Sequence, residues 1–138
     1  TGAARREDRR EVDGPIEGRG ERLPRDARIR LGSEIRELLE RGKRKKTPNV
    51  EVFFAASPAS RSRLGLIVPK HGRTIVERNR LKRRLREIGR RGVLPALDAA
   101  GIHADVLVRA RREGYRAAFG ELDEEVRSAV EELCSRES

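Results

Sequence analysis

A chain of 138 residues has room for one small domain and a tail, and its 33 Lys and Arg against 23 Asp and Glu leave a formal net charge of +10. Low apolar content and a few aromatic residues (Phe53, Phe54, Tyr115, Phe119) limit any core to a modest aliphatic one. A single cysteine, Cys134, excludes an internal disulfide, His71 and His103 lack the spacing of zinc ligands, and no apolar run approaches the roughly 20 residues that cross a bilayer.

The first residues hold no apolar secretory segment, so a cytoplasmic location is expected. The charge is unevenly placed. Residues 1–22 carry six Arg and six acidic groups and cancel, whereas residues 113–138 carry three Arg and eight acidic groups. The middle, 23–112, therefore holds 24 basic against 9 acidic groups, a surplus suited to a directed surface for a polyanion.

Along the chain, residues 1–22 offer only Val12 and Ile16 for burial and are predicted to form a disordered charged arm. The domain, 23–138, is expected to begin near Leu23-Pro24. Ile35, Leu38 and Leu39 fall at helical spacing in 33–41, with Ser33 as N-cap and Gly42 as the stop. The cationic run 43–46 follows. Residues 50–56 and 64–68 have the β-branched and aromatic content of strands, and the turn-like 57–60 between them predicts a hairpin. Pro69 and Gly72 end the second strand.

Thr74 and Glu77 then form a T-x-x-E capping box for a basic helix, with Ile75, Leu81, Leu85 and Ile88 as its buried stripe. Gly89 and Gly92 weaken its end and Pro95 bounds its length. Residues 104–110 read as a third strand. Phe119, Leu122, Val126, Val130 and Leu133 mark a closing amphipathic helix whose acidic side chains are expected to be solvated. The order helix, strand, strand, helix, strand, helix predicts an α/β layer sandwich, an α+β arrangement of a small sheet packed with helices.

Between Arg78 and Arg91, eight of fourteen residues are Arg or Lys, yet the apolar positions still recur at helical spacing. Such a segment is a packed helix with a cationic face. Arg78, Lys82 and Arg86 share one face at i, i+4, i+8, with Asn79, Arg83 and Arg90 on the adjacent stripe. Like charges at this spacing repel by a few tenths of a kcal/mol, roughly, per pair, a cost that a phosphate backbone removes. Guanidinium binds phosphate through two N–H groups, and Asn79 is able both to donate to and to accept from a 2′-OH or base edge. Glu87 is the expected intrahelical partner of Arg83, Arg84 or Arg91.

The stretch from Arg78 to Glu87 resembles the R-N-R-x-K-R-x-x-R-E signature of the bacterial ribonuclease P protein subunit, and Leu64-Gly65-Leu66-Ile67-Val68-Pro69-Lys70 is similar to the strand leading into it. The resemblance spans roughly residues 23–135. It implies a ribosomal protein S5 domain 2-like fold with a left-handed βαβ crossover, an exception to the usual hand. It also implies an accessory subunit without catalytic residues and without a metal site of its own. The partners would be ribonuclease P RNA, which with its Mg²⁺ performs the cleavage, and precursor tRNA; no membrane or small-molecule substrate is implied.

By position, Arg78, Asn79, Arg80, Lys82, Arg83 and Arg86 are expected to contact the RNA, with Lys70 and Arg90 extending the set. The family's cleft for the single-stranded 5′ leader maps to Ile35, Leu39 and Phe53. Aliphatic residues at the two helix positions, where aromatics are common in the family, remove stacking surface worth about 1–3 kcal/mol per base. A weaker or less base-selective leader contact is therefore expected. His71 stands where a second Lys is usual, Pro69 replaces a small polar residue, and Gly72 comes earlier than the family's glycine.

Two other functions compete at this level: a stand-alone basic RNA-binding protein of ribosomal or chaperone-like kind, and an intrinsic endoribonuclease. Glu77 and Glu87 are in principle Mg²⁺ ligands, but the capping box and intrahelical pairing account for them more simply.

Overall fold

The computed structural model describes residues 27–29, 32–59 and 61–137. The predicted disordered arm, 1–22, and the domain start at Leu23-Pro24 lie outside the described residues. The elements run α1 (Gly32–Arg41), β1 (Lys43–Lys46), β2 (Val50–Ala56), β3 (Arg63–Ile67), α2 (Ile75–Ile88), a π-helical turn (Gly89–Val93), α3 (Leu94–Ala99), β4 (Ala104–Ala110), a 3₁₀ turn (Arg112–Arg116) and α4 (Phe119–Glu137).

The strands form one mixed sheet in the order β1-β2-β4-β3. β2 lies antiparallel to both β1 and β4, and β3 runs parallel to β4. Strand alternation sends Val50, Val52 and Phe54 of β2, with Val106 and Val108 of β4, to one face. There they join Leu81, Leu85 and Ile88 of α2 and Leu122, Val126 and Leu133 of α4 in the main core. The opposite alternation sends Phe53 and Leu107 to a second, smaller cluster under α1, with Ile29 and Leu38. A sheet covered on both faces buries both alternations of its central strands, which is why apolar residues follow one another at 52–56 of β2 and 106–108 of β4, while the charged Glu51, Asp105 and Arg109 are paired.

Arg63 ties the α1 layer to the sheet. Its guanidinium donates to Asp105 at 2.9 and 2.7 Å and to Glu34 at 3.3 and 3.2 Å. The Asp105 carboxylate holds the Arg63 pKa above its ordinary value.

The predicted hairpin of the second and third strands does not form. β4 lies between β2 and β3, and β3 pairs in parallel with β4. The short 57–60 connection is compatible with either topology. A parallel pair, however, requires a long crossover, which α2 and the segment after it supply. The run 43–46, assigned no structure from its sequence, is the edge strand β1. An edge strand draws its ladder from its neighbour, and lysines there keep the free edge from pairing with another chain.

Ser33 lies inside the first turn of α1 rather than at its cap, because the helix starts at Gly32. Ile75 (66% exposed) and Phe119 (43%) are outside the stripes predicted to bury them. Each is the first residue of its helix. Gly89 does not terminate the basic helix. The chain widens into the π-helical turn, where the Leu94 N–H bonds to the Gly89 carbonyl, and continues into α3 with Pro95 in its first turn. A Cβ on Gly89 would lie 2.4 Å from Leu64 Cδ2, so the glycine lets this helix approach β3 closely.

The acidic face of α4 is not wholly solvated. Glu125 accepts from Thr47 Oγ1 at 2.6 Å, from the Asn49 backbone N–H at 3.1 Å and from the Asn49 side-chain amide. Glu132 pairs with Lys45 at 3.2 Å. Asn49 is buried, so its polar groups need these partners.

Candidate nucleic-acid interface

The basic helix is rigidly started. Thr74 has extended backbone geometry, its Oγ1 accepts from the Glu77 N–H at 3.1 Å, and the Thr74 N–H donates to Glu77 Oε1 at 2.9 Å. The Thr74 backbone bond, followed by the Thr74 hydroxyl and Arg73, holds the Glu77 carboxyl below its usual range. Leu81, Leu85 and Ile88 are buried and fix the helix's rotation, which decides where each cation points.

Three directions result. Toward β3, Lys82 and Arg86 line a groove of about 210 Å³ with Arg28, Leu64, Gly65 and Leu66. Outward, Asn79 and Arg83 are exposed. On the far flank, Arg80 and Arg84 face the 3₁₀ turn beside Tyr115 and Arg116. Burial, then the charges of Arg78 and Arg86, push the Lys82 ammonium below its ordinary pKa.

The predicted contact residues are not equally available. Arg80, Lys82 and Arg83 have no hydrogen-bond or ion-pair partner among the described residues. Arg78 Nε donates to the Val68 carbonyl at 2.7 Å, fastening α2 to the end of β3. Arg90 pairs with Glu87 at 2.7 Å. Glu87 also pairs with Arg91, as anticipated, and its partnership with Arg90 was not. Lys70 is exposed at the turn before α2, where its carbonyl accepts from the Arg73 N–H at 2.8 Å.

Ile35, Leu39 and Phe53 do come together in the cluster under α1. Phe53 is only 2% exposed, however, and the Arg109 guanidinium sits 5.3 Å from its ring centroid. A base must displace Arg109 or α1 to reach that ring. Arg109 is itself anchored by Glu51 at 2.9 and 2.7 Å, with Arg44 also 3.7 Å from Glu51. Arg109 was missed in the sequence, although the alternation of β4 already places it on the same face as Leu107. Among the described residues, no three His, Cys, Asp or Glu side chains group as metal ligands. No helix among them is long and apolar enough to cross a membrane.

A family model described as Ribonuclease P matches residues 23–134. The ribonuclease P protein component of Kocuria rhizophila is 33% identical over 108 residues, covering 78% of this chain and 92% of that protein. The Desulfovibrio desulfuricans ribonuclease P protein component is 38% identical over 101 residues, covering 70% and 73%. Among solved structures, the RNase P protein of Thermotoga maritima in complex with 1-(4-fluorophenyl)-2-thiourea superposes with a TM-score of 0.60 at 30% identity, covering 72% of this chain and 92% of that one. A Staphylococcus aureus RNase P protein mutant with defective mRNA degradation activity shares the fold, with a TM-score of 0.63 at 18% identity over 77% of this chain and 86% of its own.

Proposed function

This chain belongs to the ribonuclease P protein family, and from that premise we propose that α2 binds the catalytic RNA of ribonuclease P and helps it take precursor tRNA. As a ribonuclease P protein component, the chain is part of an endoribonuclease. In our reading the RNA and its Mg²⁺ cleave the 5′ leader, and the protein supplies positioning cations in the bacterial cytoplasm.

The observation that carries this reading is the unpartnered trio Arg80, Lys82 and Arg83, free among the described residues, on a helix fixed by a capping box and three buried side chains. Free side chains of one sign on a rigid support suit phosphates at fixed spacing, and arginine adds two-point recognition. Reconstitution with ribonuclease P RNA tests it. The protein should raise precursor-tRNA cleavage at low Mg²⁺ and cleave nothing alone. No effect on the RNA's activity, or cleavage by the protein alone, contradicts it.

The leader would pass over the α1 face of the sheet. With Phe53 enclosed and Ile35 and Leu39 aliphatic, contacts there are with Arg109 and Arg44 rather than an exposed aromatic ring. Affinity for precursor tRNA should therefore exceed that for a leaderless tRNA by only a small factor. A large leader dependence in filter binding would contradict this.

A further inference from the structure

The turn before α2 is strained, and the strain serves a second cationic site. Residues 70–73 form a type I′ turn closed by the Arg73 N–H to Lys70 carbonyl bond, with φ of 50° at His71 and 79° at Gly72. The left-handed region suits Gly72 but costs a residue with a Cβ about 1–2 kcal/mol. In return the turn presents the side chains of His71 and Arg73 to Tyr115. The His71 ring meets the Tyr115 ring edge-on at 6.4 Å, and the Arg73 guanidinium lies 5.2 Å from the ring centroid. The Tyr115 hydroxyl donates to the Pro69 carbonyl at 2.5 Å, locking the turn to the 3₁₀ segment. Burial pushes the phenol up from its ordinary value, so it stays a neutral donor.

His71 and Arg73, held against Tyr115, line an open pocket of about 570 Å³ with Arg112, Glu113 and Arg116. Arg112 and Arg116 are exposed and have no partner among the described residues. Arg73 has Glu77 at 3.4 Å. Glu113 is the one carboxylate among these lining residues, so the three guanidiniums leave the wall cationic. Arg116 also lines the neighbouring pocket with Arg80 and Arg84, which joins this site to the far flank of α2.

We infer that the pocket between the 70–73 turn and the 3₁₀ segment is a phosphate site, occupied by a backbone phosphodiester of the same RNA that α2 engages. This assignment of the source rests on the RNA-binding reading above. Guanidinium forks lining one pocket suit a tetrahedral oxyanion, and the volume admits a phosphate with its sugar. RNA backbone would then run along the far flank of α2, from Arg84 past Arg116 to Arg112, as a second line of contact besides the groove at β3.

Tyr115 is the only tyrosine in a chain without tryptophan, and its ring touches His71 and Arg73 of the pocket wall, so its fluorescence reports on this site. The full chain is titrated with inorganic pyrophosphate against sodium chloride at matched ionic strength, as wild type, as Arg112→Gln/Arg116→Gln and as Arg127→Gln, an arginine of α4 outside the pocket and outside α2. A saturable change specific to pyrophosphate in the wild type and Arg127→Gln, absent from the double variant, supports the site. No saturable change, or one that persists in the double variant, overturns it. Both arginines are exposed, and circular dichroism verifies that the variants fold. In a second arm, the double variant should flatten the salt dependence of binding to ribonuclease P RNA by up to about 0.7–0.9 for each phosphate that it no longer neutralises. An unchanged slope overturns the assignment to RNA. If the RNA-binding reading itself fails, even wild type gives no salt-dependent complex, while the pyrophosphate arm still reads the pocket.

Discussion

Lys82 stands between Arg78 and Arg86, half buried, with its ammonium destabilised first by burial and then by its two neighbours. A folded-state pKa below the unfolded one means that the unfolded chain binds more protons in the window between them. Stability of the free protein thus rises with pH through that window. The gain is complete above the ordinary lysine value and vanishes as pH falls through the lowered one. At neutral pH the charge is a cost carried for binding. Lys82→Gln should therefore stabilise the free protein, by roughly 0.2–0.5 kcal/mol for each like-charge pair removed, raise its thermal midpoint accordingly, and weaken RNA binding. The stability difference from wild type should shrink at alkaline pH. Unfolding curves of both proteins at neutral and alkaline pH measure it; a less stable variant contradicts it. The signature had already marked Lys82 as a binding residue. Its burial was not legible, because it depends on how closely β3 approaches the helix, which Gly89 decides.

At the scale of elements, Glu125 joins α4 to the connection between β1 and β2 through three hydrogen bonds. Glu125→Ala should cost about 1–3 kcal/mol, the penalty for leaving the buried Asn49 donors unsatisfied. Urea unfolding should show a lower midpoint with an unchanged slope; a midpoint within error of wild type would contradict it. An acidic residue among acidic residues carried no sign of this role, since its partners lie more than seventy positions away. β2 and β4 were legible to the residue because burial on both faces leaves consecutive apolar residues at their centres, 52–56 and 106–108. β1 was not, because an edge strand of Lys and Arg has no apolar pattern of its own. The pairing of β3 with β4 was hidden too: a short connection after β2 looks like a hairpin, and only the sheet as a whole shows that β4 separates them. Of the candidate site, the capping box and the Leu81, Leu85 and Ile88 stripe stood in the sequence. The tethering of Arg78 to Val68 and of Arg90 to Glu87 depended on side-chain reach, which spacing does not fix.

The whole molecule is a sheet covered by α1 on one face and by α2 and α4 on the other, with the cationic helix fixed over the larger core. The acidic surplus of residues 113–138 is partly spent internally, on Thr47, Asn49 and Lys45, so it reinforces the fold as well as balancing its charge. The free cations of α2 are, on this account, the RNA-binding groups. The measurement that tests this most directly is the salt dependence of affinity for ribonuclease P RNA, comparing wild type with Arg80→Gln/Lys82→Gln/Arg83→Gln. These three side chains have no partner in the fold among the described residues, so the change leaves the Arg78 tether intact. Weaker binding is expected, with a slope of log affinity against log salt flatter by up to about 0.7–0.9 for each phosphate left without its cation. Equal affinity with an unchanged slope would contradict it.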